Sequence, residues 1–135
     1  MTSSLARPRL FRRFLRASIQ RVLVTVTRNQ GDGGLTLDGA LMDAAGLLPN
    51  ETVLCTNEQN GNQFLASVKQ GRRRRGELIL DGPVARQGSR GDRVTIHRYD
   101  SLSQDQVDRI SSKVVLIDMG AEPRRQAFRT RLTMK

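Results

Sequence analysis

Histidine, cysteine and tryptophan are almost missing from this sequence: among 135 residues there is one histidine, His97, one cysteine, Cys55, and no tryptophan. A lone cysteine excludes an internal disulfide framework, and one cysteine with one histidine is too little for a zinc site, so no metal is expected. Cys55 follows Val53 and Leu54 in an apolar run and reads as a small buried hydrophobe. His97 reads as a polar alternate of a strand, with no partner evident along the chain. Aromatic residues make up 4% of the chain, which leaves few platforms for stacking nucleic-acid bases. Nor is there a helix-turn-helix, RNP or zinc-finger motif. No apolar run approaches the roughly 20 residues of a membrane span, and a cytoplasmic protein is expected.

Acidic residues are also scarce at one end. None precedes Asp32, whereas Arg7, Arg9, Arg12, Arg13, Arg16, Arg21 and Arg28 all do. The net charge is +10, nearly all of it carried by arginine, with a second cluster at Arg72, Arg73, Arg74 and Arg75. Such a balance favours weak, nonspecific contact with polyanions, for which the four-arginine run is the candidate surface. The acid-free start overlaps the composition of an organellar transit peptide, but a basic extension over residues 1–10 is the simpler reading.

Apolar residues are 37% of the chain, in keeping with one small globular domain. Residues 18–27 alternate and are rich in β-branched side chains, which predicts a strand. Gly31, Gly33 and Gly34 mark a turn, and residues 35–37 form a short strand. Asp38 is placed to cap a helix over residues 39–45, with Gly46 just past its end and Pro49 preventing continuation. Residues 51–56 and 63–69 read as a hairpin around Asn60-Gly61. Further strands are expected at 77–80, 93–99 and 114–118, and a second helix from Ser103 to about residue 111, opened by the capping-box spacing Ser103–Gln106. The tail from residue 122 shows no strong pattern and is expected to be a basic appendage over 121–135. Seven short strands and two short helices make a mainly β chain, most simply a small barrel over residues 11–120.

Several segments, in order and spacing, resemble bacterial aspartate 1-decarboxylase. They are Arg21-Val22-Leu23-Val24-Thr25, Asp43-Ala44-Ala45-Gly46-Leu47-Leu48-Pro49-Asn50-Glu51, Asn60-Gly61, Asp81-Gly82, Gly91-Asp92-Arg93-Val94 and Lys113-Val114-Val115-Leu116-Ile117-Asp118. The resemblance implies a double-psi β-barrel assembled as a homotetramer, with sites between subunits. It also implies a Gly-Ser pair that cleaves itself. The serine hydroxyl attacks the preceding carbonyl, and elimination then leaves a pyruvoyl group, the electron sink for decarboxylation. The count from both flanking motifs puts Gly33-Gly34 at that pair. Gly34 has no β-carbon, so a pyruvoyl cofactor is not expected and the processing site is degenerate.

Other positions depart in the same direction. Ser18 stands for the family's first-strand lysine, and Gly31 for the tyrosine before the cleavage pair. Gln63 stands for the carboxylate-binding arginine, Ala66 for the threonine that assists processing, Ser67 for its neighbouring tyrosine, and Asp81 for an asparagine. Arg21 and Gly82 match. These residues form the candidate pocket, with Arg21 and Asp81 considered as an anion-binding and acid–base pair or an ordinary ion pair. Three functions stay open. One is a repurposed barrel that binds or transforms an unknown small molecule, with templating of a cyclisation as one form of it. The second is a non-catalytic regulator that binds protein or nucleic acid. The third is a genuine aspartate 1-decarboxylase making β-alanine, either through Thr36 or through a different register.

Overall fold

The computed structural model describes residues 10–109, 114–120 and 130–133. Nine strands form one sheet. They are β1 (Phe11–Leu23), β2 (Val26–Arg28), β3 (Gly34–Asp38), β4 (Thr52–Asn57), β5 (Gln63–Gly71), β6 (Leu78–Asp81), β7 (Arg93–Ser103), β8 (Val114–Asp118) and β9 (Thr130–Thr133). Their order across the sheet is β2-β6-β3-β5-β4-β7-β1-β8-β9. Two helices, α1 (Gly39–Ala45) and α2 (Gln104–Arg109), and a short 3-10 turn over Gly82–Gln87 are the other elements among the described residues.

The mainly β expectation holds, with two extensions, one added strand and one split: residues 18–27, expected as a single strand, break at Val24 and Thr25 into the end of β1 and the start of β2. β1 begins at Phe11 rather than at residue 18, because its first half pairs with a β7 that runs on to Ser103. That pairing is non-local, and the arginine-rich stretch has no apolar face of its own to announce it. The basic tail contributes β9, whose Thr130–Thr133 pair antiparallel with β8. It is therefore not a wholly patternless appendage. Residues 121–129 and the N-terminal residues 1–9 lie outside the described residues.

Three consecutive antiparallel pairs, β5–β4, β4–β7 and β7–β1, are flanked by the parallel pairs β3–β5 and β1–β8, with the antiparallel β3–β6 and the parallel β2–β6 beyond. The segment between β1 and β2 ties the sheet together. Val24 donates its amide to Asp92 and Thr25 donates to Leu78, joining the start of β7 to β6. β5 shows strict alternation: Phe64, Ala66 and Val68 are buried, while Gln63, Leu65 and Ser67 face out. The buried set meets Val22, Leu35, Leu37, Leu80 and Ile96 in a continuous core that α1 closes with Leu41 and Met42. Cys55 is fully buried there, and burial pushes its thiol up to about 12.

Local signals hold in detail. Asp38 caps α1 by accepting from the Ala40 amide at 2.8 Å. Gly46 is left-handed and donates to Asp43, while Leu47 donates to Met42, closing the helix end. At α2 the Ser103 amide donates to Gln106 Oε1 at 2.9 Å and the Gln106 amide donates to Ser103 Oγ at 3.4 Å, the reciprocal pair that the spacing predicts.

Candidate functional site

The glycine run folds where β3 begins. β3 lies between β6 and β5, and Gly34 pairs with Asp81 in the antiparallel β3–β6 ladder. Gly34 has φ +141°, and a β-carbon there would sit 3.1 Å from the Ser67 carbonyl oxygen and 3.3 Å from Lys69 Cε. Both conditions disfavour a side chain. Gly82 is more tightly bound by its neighbours. A β-carbon on it would come within 2.8 Å of the Gly31 carbonyl oxygen and the Gly33 amide nitrogen. The turn before β3 thus packs backbone against backbone on the start of the 3-10 turn. Asp81 is buried to 7% exposure, its side chain lies alongside Gly31, and its Oδ1 has no hydrogen-bond partner among the described residues. Gly33, Gly34, Ser67, Asp81 and Gly82 are therefore brought together in one chain.

Ser18 and Arg21 are not part of that group. They lie on β1, four strands from β3 across the sheet. Arg21 pairs with Asp118 of β8 rather than with Asp81. Its Nε donates to Asp118 Oδ1 at 3.1 Å and its Nη2 donates to Oδ2. The partnership with Asp118 raises the guanidinium's pKa above its ordinary value. β8 runs parallel to β1, with Gln20 opposite Asp118, so the carboxylate arrives beside Arg21 through pairing between strands nearly a hundred residues apart in sequence. The candidate pairing of Arg21 with Asp81 is corrected accordingly.

Around Arg21 the outer face of β1, β4 and β7 forms a cleft of about 410 Å3 lined by Gln20, Arg21, Thr56, Glu58, Thr95 and His97. Thr95 Oγ1 donates to Glu58 Oε1 at 2.9 Å. Gln63 reaches the rim, donating through Nε2 to Thr56 Oγ1 at 3.4 Å. His97 is half-buried, and burial holds its imidazole below the ordinary histidine value against the opposing pull of Glu58. Ser18 faces His97 across the β1–β7 ladder, and neither Ser18 Oγ nor His97 Nδ1 has a partner among the described residues. Ala66 points into the core, while Ser67 is exposed.

Arg72, Arg73, Arg74 and Arg75 are all exposed, in a turn between β5 and β6. Asp38 anchors this turn. Its carboxylate accepts from the Arg74 amide at 3.0 Å and the Gly76 amide at 2.7 Å as well as capping α1. Arg73 pairs with Asp43 over a cleft of about 670 Å3 that also includes Met119.

Sequence reasoning missed Lys69, Glu58, Thr95 and Asp118. Strand alternation from Gln63 through Leu65 and Ser67 puts Lys69 on the same outer face, but its place beside Gly34 depends on the parallel β3–β5 pairing, in which Thr36 opposes Lys69.

The aspartate decarboxylase family model matches residues 10–123. This chain belongs to the aspartate decarboxylase family. The aspartate 1-decarboxylase of Neisseria meningitidis is 38% identical over 109 residues, covering 81% of this chain and 86% of its own length. That of Acaryochloris marina is 34% identical over 109 residues, covering 81% and 83%. That of Staphylococcus epidermidis is 33% identical over 113 residues, covering 84% and 88%. The barrel is thus the double-psi β-barrel of the family, with few and short helices. No helix among the described residues is long and apolar enough to cross a membrane.

Proposed function

We propose that this chain is an aspartate decarboxylase-family barrel that has lost self-processing and pyruvoyl chemistry and binds or transforms a different small molecule. The observation that carries this reading is Gly34. Self-cleavage needs a hydroxyl on a β-carbon at the processing turn, and glycine supplies neither. The surroundings argue the same way. Asp81 puts a buried carboxylate beside the turn, where a dicarboxylate substrate would be repelled. Gln63 offers no charged fork for a substrate carboxylate.

The site would be completed between subunits of a cytoplasmic homotetramer. In support, the outer face of β5 leaves Leu65 63% exposed, and an adjoining loop leaves Leu48 68% exposed. A genuine decarboxylase is the second reading, favoured by the names of relatives that align over about four-fifths of the chain.

Intact mass under denaturing conditions separates the two. One uncut species near 15.1 kDa, with no β-alanine formed from aspartate, is expected. Two fragments, or a borohydride-trapped imine with aspartate, would overturn the reading.

A further inference from the structure

β1 is irregular where Arg21 sits. The β1–β7 register shifts between Ile19 and Val22, and Arg21 within the shift has φ +62°, left-handed for a residue that carries a β-carbon. A bulge re-aims a side chain, and strained backbone of this kind collects at ligand sites. Arg21 is held there at both ends. Its amide donates to Thr95 Oγ1 at 3.4 Å, and its carbonyl accepts from Arg93 Nη1 at 3.0 Å. Thr95 Oγ1 in turn donates to Glu58 Oε1 at 2.9 Å. One threonine hydroxyl thus ties together the cation and the carboxylate that line the cleft on the outer face of β1, β4 and β7. At about 410 Å3 the cleft has room for a small molecule.

His97 lines the same cleft from β7. Its Nδ1 is buried, which leaves Nε2 as the accessible ring nitrogen. Burial holds the imidazole below its ordinary value, so at neutral pH the ring is uncharged and either accepts or donates at Nε2. Glu58 is near enough to act electrostatically on both His97 and Arg21. The remaining lining side chains, Gln20, Thr56 and Thr95, are uncharged.

The charges in this cleft offset one another. Asp118 takes Nε and Nη2 of Arg21 and leaves Nη1 outside that pair. An anion entering the cleft would meet the Glu58 carboxylate, and a cation would meet the Arg21 guanidinium. A hydroxyl escapes both penalties, because it donates to a carboxylate and accepts from a guanidinium or an imidazole N–H. We propose that this cleft binds a small uncharged hydroxyl compound, held between Glu58, Arg21 and His97. The inference deepens the proposed function and rests on it. It names the class of molecule and places it on β1, β4 and β7, with β1 four strands from the Gly34 turn.

His97 is the sole histidine of the chain, so histidine-selective nitrogen NMR of the full-length protein reads this cleft through one imidazole. The test titrates the protein at neutral pH with three probes of equal carbon count: propylene glycol, propionate and propylammonium. Propylene glycol is expected to move the His97 signals saturably, with each ion at least about tenfold weaker, since like charges brought together in a site cost that much or more. Glu58→Gln keeps an acceptor for Thr95 and removes the negative charge. It should leave glycol binding within about threefold and raise propionate affinity about tenfold.

A His97 signal that ignores propylene glycol, or that answers propionate or propylammonium equally well, would overturn the inference. So would Glu58→Gln binding that leaves propionate excluded. The wild-type comparison of the three probes decides even if the variant fails to fold. Failure of the underlying reading looks different: it is a cut chain that forms β-alanine, whereas failure here is an uncut chain whose histidine does not prefer the uncharged probe.

Discussion

Asp81 stands directly opposite Gly34 in the β3–β6 ladder with one carboxylate oxygen buried and unsatisfied among the described residues. A buried acceptor without a partner costs stability. Asp81→Asn removes the charge at nearly constant shape. We predict a gain of about 1 kcal/mol in unfolding free energy from relief of that burial. Urea denaturation measures it. A loss of stability of similar size would mean that Asp81 is a structural group and not a strained site residue.

Gly34→Ser should not restore decarboxylation. The serine would have to adopt φ near +141° with its β-carbon against the Ser67 carbonyl oxygen and the Lys69 side chain. Backbone strain of that kind costs about 1–3 kcal/mol. The expected outcome is a less stable, largely uncut chain with no β-alanine product, followed by thermal melting, intact mass and chromatography. Adding Gln63→Arg, Ala66→Thr, Ser67→Tyr and Asp81→Asn should recover more cleavage than the single change does. Full turnover by the single variant would show that the pocket is still a decarboxylase pocket.

Asp38 joins three segments through one carboxylate: the start of α1, the arginine turn and the approach to β6. Burial pushes its carboxyl up, but the backbone amides of Gly76, Arg74 and Ala40 together hold it below its ordinary 3.8. Its stabilisation is therefore complete above that pH and is lost as pH falls through the lower folded-state value. Asp38→Ala should cost about 2–3 kcal/mol at neutral pH, one helix cap plus amides left without an acceptor. The variant should also lose the part of the acid-unfolding transition below pH 3.8 that belongs to this group. Urea titrations at pH 7 and pH 3 compare the two, and an unchanged acid limb would refute the assignment.

The same residue shows which parts of the structure were legible in the sequence. Asp38, Gly46 and the Ser103–Gln106 box act within a turn of their own helix, so their chemistry is visible in a few consecutive residues. The Asp38 bonds to Arg74 and Gly76 span more than thirty residues and depend on how β5 returns to β6. Arg21 and Lys69 follow the same rule. Arg21 stands out in the sequence as a candidate, but its partner Asp118 is delivered by β8, whose parallel pairing with β1 no local pattern specifies. Lys69 meets Gly34 because β3 runs parallel to β5. The glycine run itself was plain to read. What stands over it was not.

The exposed turn at Arg72–Arg75 gives the last prediction. Two features restrict what these arginines can contribute. Arg73 already shares its guanidinium with Asp43, and Asp38 fixes the turn's backbone through the Arg74 and Gly76 amides. The charge is thus displayed on a rigid surface, but without an aromatic platform or a groove-filling helix to read sequence. Binding to duplex DNA should be weak and indifferent to sequence, falling with salt at a slope of about −0.9 per phosphate neutralised. Replacing Arg72, Arg74 and Arg75 by serine should lower that slope by up to about one unit per arginine while the thermal melt stays within about 0.5 kcal/mol of wild type, as for other surface changes. Fluorescence anisotropy at several salt concentrations reads both affinity and slope. A sequence-specific complex that survives physiological salt would contradict the weak-contact reading and move the function toward a nucleic-acid regulator, because only base contacts or DNA shape, not phosphate neutralisation, persist in that way.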